Sequence, residues 1–235
     1  MHSARIVATS FRQVWTPSPM FFEEAYLRSV SFWGADATGL VVRKANMKEV
    51  DMRWSDLSWM QAQGLEMERI NLDYAILRGS VFDKAVLTDV SMRCCDMSKA
   101  SFHGAHLRDV SFSCSEKLGG RLARPAPVEN RIVRELFVRP SLRGTSFRGA
   151  VLESPDFQGT DLTDTDFRDA TLRMPLFRGA HFYRTDFSGA TVEGVTTVTP
   201  IQRAGAICYS DREDLSRRLK RTRLGMKVPR SRSGP

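Results

Sequence analysis

No run of eighteen apolar residues occurs anywhere in the 235-residue sequence, so it lacks a candidate membrane-crossing helix. The first nineteen residues contain no acid, carry Arg5 and Arg12, and lack the continuous apolar core of a signal peptide; a cytosolic location is the expectation. There are only four cysteines and four histidines. His2, His103, His106 and His181 are scattered and no CxxC occurs, so no spacing suits zinc. Nucleophile motifs and phosphate-cradling glycine loops are also missing, and the aspartates are strung out rather than paired. No enzyme, metal or cofactor is expected.

The usual periods are missing as well. Most of the chain follows neither the 3.6 of a helix nor the 2 of a strand. What it has is a period of five. From Thr145 to Ala190 every fifth residue is Leu or Phe: Phe147, Leu152, Phe157, Leu162, Phe167, Leu172, Phe177, Phe182 and Phe187. The same column runs from Phe22 to Phe112 with Leu, Phe, Met, Val and Ala. Two places before most of them sits a small or β-branched residue such as Ala75, Ser80 or Ala105, or a Pro. Each unit therefore turns one large and one small side chain inward. So short a unit cannot bury its apolar face alone, and units must coil and stack.

Units such as ANMKE (45–49), SDLSW (55–59), CDMSK (95–99), TDLTD (160–164), TDFRD (165–169) and TDFSG (185–189) resemble the pentapeptide-repeat family, over roughly residues 20–112 and 142–195. The resemblance implies an all-β fold, a right-handed quadrilateral parallel β-helix with four pentapeptides per coil. Coils about 4.8 Å apart and roughly seven in number would make a rod on the order of 35 Å long.

Residues 1–19 read as an N-terminal arm or cap, and 20–112 as a first block of coils. Residues 113–141 read as an insertion with Gly- and Pro-rich loop followed by a short amphipathic helix carrying Ile132, Leu136 and Phe137. A second block follows at 142–195. The capping box of Ser210 and Glu213 points to a C-terminal helix within 196–226, one that could cap the rod or pair two copies. Residues 227–235 read as a basic disordered tail.

Twenty-residue spacing aligns the outward columns. Trp33, Arg53, Trp54, Trp59 and Tyr74 fall close together, either as a partner-binding patch or as rings covered by the arm or insertion. Arg28, Lys48 and Arg108 share a column that, if the register survives the interruption, continues with Arg148 and Arg168: a basic stripe or simply a solvated face. Asp156, Asp161, Asp164, Asp166 and Asp169 make a locally acidic patch, although Asp before the large residue also suits turns. Cys94 and Cys114 stand one coil apart, within reach of a disulfide, with a reduced pair expected in the cytosol.

The net charge of +8 and a pI near 9.7 permit anionic partners. Family members that confer quinolone resistance bind DNA gyrase as acidic mimics of B-form DNA. The resemblance thus implies a non-enzymatic binding protein, with DNA gyrase or topoisomerase IV as the specific partner and protection from inhibitors as the role. A basic balance fits mimicry poorly. The alternatives are a protein-interaction scaffold or secreted effector using the Trp54 patch and the insertion, and nucleic-acid binding through the basic column and tail.

Overall fold

A computed structural model describes residues 4–14, 19–113 and 141–194, and the backbone of 206 and 207. The chain winds into a right-handed parallel β-solenoid of about eight turns. Nine strands stack into one all-parallel sheet: β1 (Arg5–Val7), β2 (Tyr26–Arg28), β3 (Asn46–Lys48), β4 (Glu66–Asn71), β5 (Val86–Ser91), β6 (His106–Ser111), β7 (Val151–Glu153), β8 (Thr171–Arg173) and β10 (Thr191–Glu193). β9 (Thr185–Asp186) pairs separately with β11 (Ala206–Ile207). The other faces are held by single parallel bridges twenty residues apart, such as Val41↔Gln61, Asp51↔Asn71 and Asp36↔Asp56.

The period of five has a local cause. The residue two after each large one takes a left-handed conformation at nearly every corner, as at Trp54 (φ 62), Tyr74 (φ 64) and Gly79 (φ 65). On three faces the turn closes with a backbone bond three residues back, for example Ala35 N–H to the Phe32 carbonyl at 2.9 Å. An aspartate just before the large residue accepts the N–H two residues on: Asp56 from Ser58 at 2.9 Å, Asp156 from Gln158 at 2.9 Å, Asp186 from Ser188 at 2.8 Å. These are Asx turns, and they account for the recurring Asp.

We number the faces by their inward columns: face 1 through Phe82, Phe102, Phe147, Phe167 and Phe187; face 2 through Leu87, Leu107, Leu152 and Leu172; face 3 through Phe112, Phe157 and Phe177; face 4 through Leu77, Met97, Leu142, Leu162 and Phe182. All of these side chains are buried. The phenylalanines on face 1 stack at 4.8 to 5.1 Å between centroids. They meet those of opposite face 3 edge-on, at 5.7 Å for Phe112–Phe147 and 5.8 Å for Phe147–Phe157. At the corner between faces 4 and 1 runs a ladder of inward hydroxyls. Thr145, Thr165 and Thr185 donate to the carbonyls of Met97, Leu142 and Leu162 at 2.8, 2.9 and 2.8 Å, so these small polar residues are buried without an orphaned group.

The register across the interruption differs from the expected one. His106 pairs with Val151 and Asp96 with Ser141, a step of 45 residues where the intact coils step by 20. The extra 25 residues are not a whole number of coils, so every outward column after the break shifts by one face. The coils also extend beyond the five-residue count at both ends. β1 pairs with β2, and β11 with β9, at a spacing of 21, and the one added residue hides each end coil from the period. The expected insertion helix with Ile132, Leu136 and Phe137, the C-terminal helix and the basic tail lie outside the described residues. Cys94 is disulfide-bonded, not the reduced thiol expected, and Cys95 is a free buried thiol, so the partner of Cys94 is outside the described residues. Burial pushes the Cys95 thiol up, out of the reactive range.

Candidate protein-binding surface

Trp54 and Tyr74 occupy the corner between faces 3 and 4 and stack across adjacent coils, 4.3 Å between centroids and 7° between planes. Their rings are half-buried. Burial, then the neighbouring Asp73 carboxylate, raises the Tyr74 hydroxyl pKa. Arg53 does not join them: it turns back on Asp51 with two bonds of 2.8 Å, and that hydrogen bonding holds its pKa up. Trp33 lies one coil earlier on face 3 under the Arg12 guanidinium, 5.1 Å from ring centroid to carbon. That cover comes from within residues 1–19, one of the alternatives the sequence left open for these rings, and Arg12 sits in the coil that the period misses. Trp59 is a quarter-turn further on, at the corner between faces 4 and 1. The candidate patch is thus a stacked pair with two separate rings beside it.

The basic column does not exist as one stripe. Arg28, Lys48 and Arg108 share face 2 with Glu68 and Thr88, and the column continues with Glu153, Arg173 and Glu193. Arg148 and Arg168 fall on face 1, because of the 45-residue step. The face 2 cations are engaged: Arg28 with Glu49 at 3.4 Å, Lys48 with Glu68 at 2.8 Å, Arg108 with Glu153 at 3.2 Å. On face 1, Arg168 meets Asp166 at 2.7 Å and Arg148 meets Asp169 at 3.6 Å.

The acidic patch is dispersed in the same way. Asp156 lies on face 3, Asp161 and Asp164 on face 4, Asp166 and Asp169 on face 1. Asp161 caps Thr163 at 3.0 Å, and Asp164 pairs with Arg184 at 2.7 Å. Residues 19–113 and 141–194 contain 17 Lys and Arg against 21 Asp and Glu, a net −4. Sorted by face this is −1, −2, 0 and −1 for faces 1 to 4. The coils are therefore close to neutral on every side. The basic surplus sits elsewhere: residues 4–14 carry +2, 114–140 carry +3 and 195–235 carry +7.

Acid should loosen this lattice of pairs. For Asp166, burial alone would raise the pKa, but the hydrogen bonds and charge of Arg168 outweigh it and hold it down. The hydrogen bond from Arg69 chiefly lowers Glu49, and that from Lys48 chiefly lowers Glu68. A carboxylate lowered in the folded state contributes stability that is present above its unfolded pKa and lost as pH falls through the folded one. The thermal midpoint should therefore drop between about pH 5 and about pH 3. Arg168→Gln should flatten that drop, measured by circular dichroism melts across pH. Because the pairs are exposed, each contributes little by itself.

Among the described residues no group of His, Cys, Asp and Glu is placed to hold a metal ion, and no helix is long and apolar enough to cross a membrane. A shallow depression on face 2 is lined by Asn46, Glu66, Glu68 and Thr88. Its carboxylates are already bound, Glu66 by Asn46 and Glu68 by Lys48, each at 2.8 Å. Fold and surface together define a closed-core β-solenoid of five-residue units that presents side chains on flat faces and corners.

Family comparison names that class. Residues 21–59, 66–109 and 139–169 match the model for pentapeptide repeats in eight copies, and the chain belongs to the pentapeptide-repeat family. Among solved structures it is similar to a trypsin-treated variant of QnrB1, a plasmid-mediated fluoroquinolone resistance protein. That match has 12% identity and TM-score 0.41, over 97% of this chain and 100% of that one. It is also similar to Rfr23 from the cyanobacterium Cyanothece 51142, with 12% identity and TM-score 0.37 over 48% and 82%. A third is HetL from the cyanobacterium Nostoc, involved in heterocyst differentiation regulation, with 17% identity and TM-score 0.21 over 76% and 82%. No curated protein matches by sequence.

Proposed function

We propose that the chain is a non-enzymatic rod that binds another protein through side chains displayed on its coils. The observation that carries this reading is the Trp54–Tyr74 stack on left-handed corners of a closed solenoid. Large rings held in place by rigid backbone offer contact area at little ordering cost, and Trp, Tyr and Arg are the residues that dominate protein interfaces. The partner is engaged along the corner between faces 3 and 4. Trp54→Ala should weaken its capture at least about tenfold while leaving the melt nearly unchanged. Affinity capture with wild type and Trp54→Ala, read by quantitative mass spectrometry, makes the test. A set of captured proteins identical for the two would sink the assignment.

A more specific reading is protection of a type II topoisomerase. It draws on the family resemblance and on the net −4 of residues 19–113 and 141–194, with the basic surplus lying in the rest of the sequence. With no strongly acidic face, contact with gyrase would rest on shape and on side chains such as Trp54, with little phosphate mimicry. Gyrase supercoiling with a fluoroquinolone, with and without the purified protein, decides it. Recovered supercoiling supports the reading. No change up to stoichiometric excess overturns it and leaves the scaffold or effector reading. Retention on DNA that falls steeply with salt would instead point to the basic residues of 114–140 and 195–235.

A further inference from the structure

Trp59 stands apart from the Trp54–Tyr74 stack and is presented differently. Its indole lies against Gly79 in the following coil, where a β-carbon would collide with the ring. Gly79 has φ +65 and no side chain, so the ring can lie flat on the wall of the rod. One face is pressed to backbone, yet the residue remains 63% exposed, which turns the other face to solvent. Among the described residues Trp59 is the one exposed tryptophan, and it is held from below by a rigid corner.

The surrounding charge says what would cover it. On face 4, the Trp59 coil and the coil before it present Asp36, Thr38, Asp56 and Ser58 outward: two acids and no Lys or Arg. Asp56 uses Oδ1 for the Ser58 N–H at 2.9 Å and makes no ion pair among the described residues. In the next coil Arg78 is neutralised by Asp96 at 2.5 Å. Lys99, two coils further along the corner, leans on Gly144, away from the indole. An indole face carries negative potential and attracts cations. A guanidinium suits the site better than an ammonium, since it can stack flat on the ring while its N–H fork reaches a carboxylate beside it.

We propose that the Trp59 corner, with Asp56, receives an arginine side chain from a basic segment of a partner protein. This rests on the protein-binding reading and adds the partner's chemistry to it. The indole supplies the stacking platform, Asp56 the directional charge, and Gly79 the room for the ring.

The test is calorimetric titration of free hexa-arginine into the full-length protein and its variants, with hexa-lysine as comparison. Binding of hexa-arginine should be saturable and tighter than that of hexa-lysine. Trp59→Ala should weaken it at least about fivefold, Asp56→Asn should weaken it less, and Trp59→Phe should retain most of it. Thermal melts establish that the variants are folded, as expected for so exposed a side chain. Absence of binding, or equal binding by wild type and Trp59→Ala, overturns the proposal, since attraction to scattered carboxylates does not depend on the indole. A partner captured through Trp54 that binds Trp59→Ala as well as wild type removes this inference alone and leaves the protein-binding reading intact.

Discussion

Phe147→Ala is expected to lower the unfolding free energy by about 3–5 kcal/mol. Phe147 is fully buried and stacks on Phe102 at 5.0 Å and on Phe167 at 5.1 Å. Its edges meet Phe112 and Phe157 at 5.7 and 5.8 Å from the opposite wall. It is also among the first residues after the break at 114–140, so it couples the coils before the break to those after it. In a solenoid, stability is approximately a sum of unit terms and nearest-neighbour interfaces. Removing this ring deletes four aromatic contacts, those to Phe102 and Phe112 across the break among them, and neighbouring coils cannot collapse to fill the space without breaking the backbone ladder. Urea unfolding should show a lower midpoint and separation of the single transition into two, as the blocks on either side melt independently. A loss below about 1 kcal/mol would mean that the site relaxes, and that the Phe columns are not what holds the blocks together.

Leu72→Asp is expected to abolish folding at ordinary temperature, while an acid in the very next position is native. Leu72 is completely buried on the axis of the rod. A carboxylate there would sit among buried apolar side chains with no cation on the inward columns, and an unpaired buried charge costs more than about 4 kcal/mol, a large share of a typical domain's stability. Asp73 is itself only 4% exposed, yet it accepts bonds from Arg93 Nε at 3.0 Å, Arg93 N–H at 3.0 Å and Ser91 Oγ. One place further, Tyr74→Asp should fold, because aspartate tolerates the left-handed corner and only the ring stack is lost. Solubility and far-ultraviolet circular dichroism of the two variants test the contrast. A Leu72→Asp protein that melts like wild type would refute the inward assignment of that column.

Much of the architecture is written in the chain. The inward set from Phe147 to Phe187 is buried as the five-residue count requires, and where an Asp precedes the large residue, as at Asp156, Asp161, Asp166 and Asp186, it caps the corner. Both depend only on the unit itself: each pentapeptide makes the same turn, so its side chains point the same way wherever it sits. The outward surface was far less legible. Trp54 and Tyr74 do stack, being twenty residues apart within unbroken coils. Arg148 and Arg168 do not follow Arg108, and Asp156 to Asp169 do not share a face.

The sequence by itself determined the solenoid and, within the two regular blocks, which large side chain of each five-residue unit turns inward. Only the tertiary structure decided which outward residues meet. That depends on how many residues pass between one coil and the next: 45 across the break and 21 at each end. A single added unit rotates everything downstream by a quarter-turn. Direction is a local property of the repeat, whereas neighbourhood is a sum over the whole chain between two residues, so one irregular stretch is enough to rearrange the ion pairs and spread the charge over four faces.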